Sequence, residues 1–163
     1  MTKRAPIFSG FFQLGYVASD IDAACETYNK KFGLSAFQII DMPIDENNPS
    51  PIKRIALTYV DDMMIEIIQP DLSLNTIYDD SIVDNPNVIR LHHLGYYIDD
   101  YQKTLKRLHS LDYDIPAKGG IPGVLEYCYA DTRKDTGLFS EFVRLDDGGK
   151  DFFANVPRYK SKK

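Results

Sequence analysis

Apolar and polar positions along the chain follow two periods, and the order in which they alternate is repeated. Residues 11–18, "FFQLGYVA", read as a strand. "SDIDAACETYNKKFG" follows, with Ser19 or Asp20 as an N-cap and Gly33 as a stop. Between them Ile21, Ala24, Cys25, Tyr28 and Phe32 form the apolar stripe of a helix. "LSAFQIIDMPI", "PIKRIALTYVDD" and "MMIEIIQP" are β-rich, each closed by Pro, Asp or Asn. Residues 71–89 are polar and irregular and predict a linker, with a short helical turn near Thr76–Ile82. The order then begins again. "LHHLGYYI" predicts a strand, and "DDYQKTLKRLHSLDY" predicts a helix with Tyr101, Leu105, Leu108 and Leu111 on one side. "YDIPAKGG" predicts a short strand or loop, and "GVLEYCYADT" and "GLFSEFVRLD" predict strands. The domain reading is a first βαβββ module at 10–70, the linker, a second module at 90–146, and a C-terminal appendage at 147–163. Phe152 and Phe153 of the appendage are expected to pack on the body.

The repeat extends to particular residues. "QLGYVASD" from Gln13 and "HLGYYIDD" from His93 overlay without gaps at Leu, Gly, Tyr and the final Asp. The leading residue differs in chemistry, Gln in one copy and His in the other. Strand alternation puts Gln13 with Gly15 and Val17 and sends Phe12, Leu14 and Tyr16 to the other face. It groups His93 with Gly95 and Tyr97, opposite His92, Leu94 and Tyr96. The matched apolar positions suit packing under the helices, and two such modules side by side would enclose a cleft carrying Gln13 and His93. Each module also closes on a strand with one carboxylate in an apolar run. Glu66 shares a face with Met64 and Ile68, and Glu141 shares one with Phe139 and Val143. A lone buried carboxylate is costly, so two at corresponding places suggest a shared partner. Gln13, Glu66, His93 and Glu141 make an O, O, N, O donor set suited to one divalent metal ion: Zn, Ni, Co, Mn or Fe. Tyr97, on the same face as His93, is the candidate substrate contact. His109, beside Lys106 and Arg107, reads as surface.

Composition narrows the partners. The chain has 163 residues and a formal net charge of −5, with 44% hydrophobic and 26% charged residues. That is ordinary for a globular chain, and the acidic balance argues against nucleic acid. No run approaches the roughly 18 apolar residues of a membrane span, and "MTKRAPIFSGFF" lacks a signal-peptide core. A cytoplasmic location is expected. The basic tail "RYKSKK" reads as a frayed, solubilising terminus. Cys25 and Cys128 lack metal-type spacing and read as small core residues. Gly119, Gly120 and Gly123 lack the strand-turn-helix context of a phosphate loop and suggest a flexible loop over the cleft mouth.

With these residues in view, the sequence resembles the vicinal oxygen chelate superfamily over about residues 10–146. This is the group of glyoxalase I, methylmalonyl-CoA epimerase and the bleomycin-resistance proteins. The resemblance implies an α+β fold in which paired βαβββ modules form a curved, barrel-like eight-stranded cleft. It implies a metal held by one ligand from the first and one from the last strand of each module, here Gln13, Glu66, His93 and Glu141. A Gln-Glu-His-Glu order is the one seen in some glyoxalase I enzymes, while "LHHLGYYIDD" and "DTRKDTGLFSEFV" look closer to the epimerase-like branch. The usual "DPDG" turn before the last strand is replaced by residues 131–137, and no glutathione-binding set is evident. The implied reaction is proton abstraction next to a carbonyl, by an isomerase, epimerase or lyase. Glu141 would be the base, and Glu66 a ligand or the returning acid. Partners would be a small-molecule substrate and a second copy in a homodimer, with the ligands drawn from one chain or from two. The alternatives are a non-catalytic small-molecule binding module of the bleomycin-resistance type and a ring-cleaving dioxygenase. Gln13, at a position where the dioxygenases use His, argues against the latter.

Overall fold

The computed structural model describes residues 6–161. Residues 1–5 of the leader reading and the last two lysines of the basic tail lie outside the described residues. The strands are β1 (Phe11–Val17), β2 (Gln38–Asp41), β3 (Ile52–Val60), β4 (Met63–Pro70), β5 (Arg90–Tyr97), β6 (Ala117–Ile121), β7 (Leu125–Ala130), β8 (Phe139–Leu145) and β9 (Arg158–Tyr159). The helices are α1 (Ile21–Phe32), α2 (Tyr101–His109), α3 (Arg133–Thr136) and α4 (Asp147–Ala154), with one 3₁₀ turn at Asp79–Ser81 inside the linker. Two βαβββ runs therefore follow one another, as the repeat predicts, the second carrying α3 before its last strand. No helix among the described residues is long and apolar enough to cross a membrane.

The chain divides into two compact units. One comprises Leu14–His92 and the segment from Val156; the other comprises residues up to Gln13 and His93–Asn155. In the first unit the strand order is β2-β3-β4 and then the part of β1 from Leu14 onward. Helix α1 covers this sheet with Ile21, Ala24 and Tyr28, which pack on Ala56, Ile65, Ile67, Leu14 and Tyr16. The helix starts where Asp20 Oδ1 accepts from the backbone N–H groups of Asp22 and Ala23, each at 3.0 Å. It stops at Gly33, whose φ of 75° is the left-handed conformation that glycine adopts without penalty. Phe32 completes the stripe in sequence but stays 64% exposed, because it falls at the last residue of the helix.

In the second unit the order is β5-β8-β7-β6. β5 pairs parallel to β8, and β7 pairs antiparallel to both β8 and β6. Helix α2 starts at Asp100, the repeat counterpart of Asp20, whose Oδ1 accepts from Lys103 N at 2.9 Å. Its Tyr101 and Leu108 pack with Tyr96, Leu94, Cys128 and Phe142. Leu111 falls beyond the helix end and is exposed. Phe153 of α4 lies 6.3 Å from Phe12, so the appendage does pack down.

Two expectations are corrected. Gly119 and Gly120 belong to β6, hydrogen-bonded to β7 in a hairpin, rather than to a flexible loop. The described part of the tail is not frayed. β9 pairs parallel to β3 at Tyr59 and Val60, Arg158 stacks 4.0 Å from the Tyr59 ring centre, and Ser161 N donates to Asp61 Oδ1 at 2.9 Å. Charge composition alone does not show that β3 runs past the end of β2 and leaves Tyr59 and Val60 open to pair.

Both cysteines are free thiols, Cys128 buried and Cys25 half-buried. Burial pushes the Cys128 thiol up to about 12, and the Glu141 carboxylate adds to the effect. Burial likewise pushes Cys25 up to about 11, with Asp22 adding and Arg54 opposing. Ellman's reagent at pH 8 is expected to leave the native protein unmodified over minutes and to count both thiols after unfolding. Rapid modification of native protein would contradict the packing around them. The folded Cys128 keeps its proton above pH 9.0, where the unfolded thiol begins to lose it. Its contribution to stability is therefore full below that pH and declines as the pH rises towards 12.

Candidate functional site

Strand β8 is buried on both faces over Phe139–Val143, a run that includes Glu141 at 8% exposure. A hydroxyl knot fixes where the strand begins. Buried Thr132 donates from Oγ1 to Leu138 O at 2.6 Å and lies 2.9 Å from Ser140 Oγ. Thr136 Oγ1 donates to Thr132 O at 3.1 Å. This knot, with α3, occupies residues 131–137, where the sequence departs from the familiar turn. The parallel register then sets His93 against Phe139, Gly95 against Glu141 and Tyr97 against Val143.

Within this unit three of the sequence-derived candidates come to one place. His93 is 0% exposed, and its Nε2 lies 3.4 Å from Glu141 Oε2. The Tyr129 ring packs nearly perpendicular to the imidazole, with ring centres 5.0 Å apart at 82°. Gln13, 3% exposed, lies over Gly95: a Cβ built there would sit 2.3 Å from Gln13 Oε1. Gly95 thus has Gln13 above it and Glu141 in register beside it. Tyr97 is half-buried, with its ring stacked on Phe12 at 3.6 Å and 11°.

That last contact corrects the face assignment of Phe12. Alternation sends Phe12 under the helix, yet Phe12 and Gln13 are consecutive and both reach the β5 face that carries Gly95 and Tyr97. Strict period two is broken at that step, and a local irregularity of this kind re-aims a side chain. Glu66 belongs to the other unit. It sits on β4 opposite Leu57 at 9% exposure, between buried Met64 and Ile68. His92 is turned away from the candidate face, as alternation predicts. Its Nε2 is 2.9 Å from Ile77 O, and its ring lies 4.9 Å from Tyr78. His109 is exposed.

A buried imidazole nitrogen, a carboxylate oxygen and a carboxamide oxygen form the donor chemistry of a borderline divalent ion. Glu141 Oε2 is buried and accepts no hydrogen bond among the described residues. A carboxylate oxygen in that state is costly until a cation shares its space. The residues therefore fit a metal. Sequence reading missed Phe12, Tyr129, Thr132, Ser140 and Gly95 as supports. Only Gly95 left a signal, a glycine in a strand interior matched in both repeats.

A family model described as Glyoxalase/Bleomycin resistance protein/Dioxygenase superfamily matches residues 12–127. Among solved structures, methylmalonyl-CoA epimerase from Mycobacterium tuberculosis aligns at 17% identity and TM-score 0.60, over 87% of this chain and 91% of that one. A variant of Streptomyces coelicolor methylmalonyl-CoA epimerase, in complex with 2-nitronate-propionyl-CoA, aligns at 12% identity and TM-score 0.61, over 85% and 98%. A hypothetical protein from Bacillus halodurans aligns at 10% and 0.60, over 84% and 94%. At these identities the likeness shows the fold, that of the glyoxalase, bleomycin-resistance and dioxygenase proteins. No curated protein matches the chain.

The cost of the buried carboxylate can be measured without metal. Glu141→Gln in metal-free protein is expected to hold or raise Tm, by roughly 2–4 °C for each kcal/mol recovered. A fall of several degrees on thermal melting would mean that the carboxylate stabilises the empty fold.

Proposed function

Because the chain belongs to the glyoxalase/bleomycin resistance protein/dioxygenase superfamily, we propose that it is a metal-dependent isomerase, epimerase or lyase. It would remove a proton next to a carbonyl of a small oxygenated substrate. The observation that carries this reading is the buried pair of His93 Nε2 and Glu141 Oε2, 3.4 Å apart, with Gln13 over the intervening Gly95. Gln13, Glu66, His93 and Glu141 would hold one divalent ion, Zn, Ni, Co, Mn or Fe. His93 and Glu141, from one unit, supply a nitrogen and an oxygen donor, and Glu66, a buried carboxylate of the other, is the proposed further ligand. Bound there, the ion would supply Lewis-acid polarisation of two neighbouring substrate oxygens.

The chain's own residues divide the remaining tasks. Glu141 takes the substrate proton on its carboxylate. Phe139 and Val143 are buried on either side of it along the strand and limit the approach of water. His93 serves as a neutral nitrogen ligand, its ring packed against Tyr129. Gln13 is a weaker, uncharged oxygen ligand. Glu66 is a steady ligand and the second carboxylate able to return a proton. Tyr97, fixed by its stack on Phe12, borders the substrate. The protein would act as a cytoplasmic homodimer, a reading supported by the family resemblance and by composition.

The matched epimerases direct the substrate search to acyl thioesters, with 2-oxo compounds beside them. Metal-loaded protein in D₂O is expected to wash deuterium into the position next to the carbonyl, followed by NMR. Glu141→Gln is expected to slow this exchange by about 10²–10⁴-fold while retaining much of the metal. Full exchange in that variant would overturn the assignment of the base. No exchange with any member of either class would favour the non-catalytic binding module.

A further inference from the structure

Gly95 is unusual for where it sits. It lies in the interior of β5, where glycine weakens a strand, and in register with Glu141. The three atoms nearest to a Cβ built there all belong to Gln13: Oε1 at 2.3 Å, Cβ at 2.7 Å and Cδ at 3.1 Å. Separations below 3 Å leave no room for a methyl group. The space beside β5 holds either a side chain at 95 or the carboxamide of Gln13.

We propose that Gly95 is a positioning residue that seats the Gln13 carboxamide beside Glu141 and so sets the first ligand of the metal site. The inference rests on the metal-site reading above and deepens it. Gln13 follows Phe12, and Phe12 is anchored by its stack on Tyr97, two residues beyond Gly95. With Phe12 held, an added methyl at 95 meets the Gln13 side chain from Oε1 back to Cβ, so the carboxamide is displaced and the strand at Gln13 must give with it. Gln13 Oε1 would leave the Glu141 side of the strand. The glycine shared by the two "LGY" repeats then has a function in this copy that its backbone angles do not require.

The test is a double-mutant cycle read by two signals, thermal melting of metal-free protein and Zn affinity by competition with a chromophoric chelator. Gly95→Ala alone is expected to lower Tm by roughly 3–10 °C through overpacking. It is also expected to weaken Zn binding about 10–100-fold. Gln13→Gly vacates the space and is expected to weaken Zn to the same degree. The double variant is expected to regain the melting temperature of Gln13→Gly and to lose no further affinity. Independent, additive melting losses would overturn the seat itself. A melting cycle that couples as expected, with undiminished Zn affinity in Gly95→Ala, would overturn the positioning role. Absence of Zn binding in the unmutated protein, with the melting cycle coupled, would locate the failure in the metal reading.

Discussion

The arrangement around β8 depends on the cost of keeping Glu141 out of water. The carboxylate sits inside a strand whose neighbours along the chain, Phe139, Ser140, Phe142 and Val143, are all buried. A sheet that only needed stability would place an aliphatic residue there, since well-packed hydrophobic groups often match or exceed buried ions. The chain instead surrounds the carboxylate with positional controls. The Thr132 hydroxyl knot sets where β8 starts, the parallel register brings Gly95 alongside, and the Tyr129 ring packs against His93. Each control costs stability or sequence freedom. Their convergence on one charged group supports the proposed function at Glu141.

Duplication explains how such a site is assembled. Both copies keep the helix cap at the same repeat position, Asp20 and Asp100, and both keep Leu and Tyr to pack under the helix. What has diverged is the leading polar residue, Gln13 in one copy and His93 in the other. A common scaffold with different donors yields a mixed oxygen and nitrogen set, less suited than thiolates to a closed structural zinc. It is better suited to an ion that must exchange a ligand for substrate.

Much of the fold was legible because it follows local rules. The two helices announce themselves by caps and stripes, and the strands by β-rich runs between Pro and Asp clusters. The burial of Glu66 and Glu141 was legible from their apolar neighbours on the same face, and the turning away of His92 from alternation. What stayed hidden depends on partners distant in sequence. β9 finds its place only through the edge of β3 and the carboxylate of Asp61, so a basic tail reads as solvent-exposed until the edge is seen. The shift of Phe12 onto Tyr97 breaks period two, which a pattern argument assumes throughout. The reason for Gly95 lies in a side chain 82 positions away.

Under the proposed function, His93 and the carboxylates hold a metal ion. Elemental analysis by plasma mass spectrometry tests it most directly, on tag-free protein purified without chelator, the unmutated chain beside His93→Ala. The account predicts near-stoichiometric divalent metal that drops sharply in the variant. Protein that takes up no metal, even after incubation with Zn, Ni, Co, Mn and ferrous iron, would contradict it.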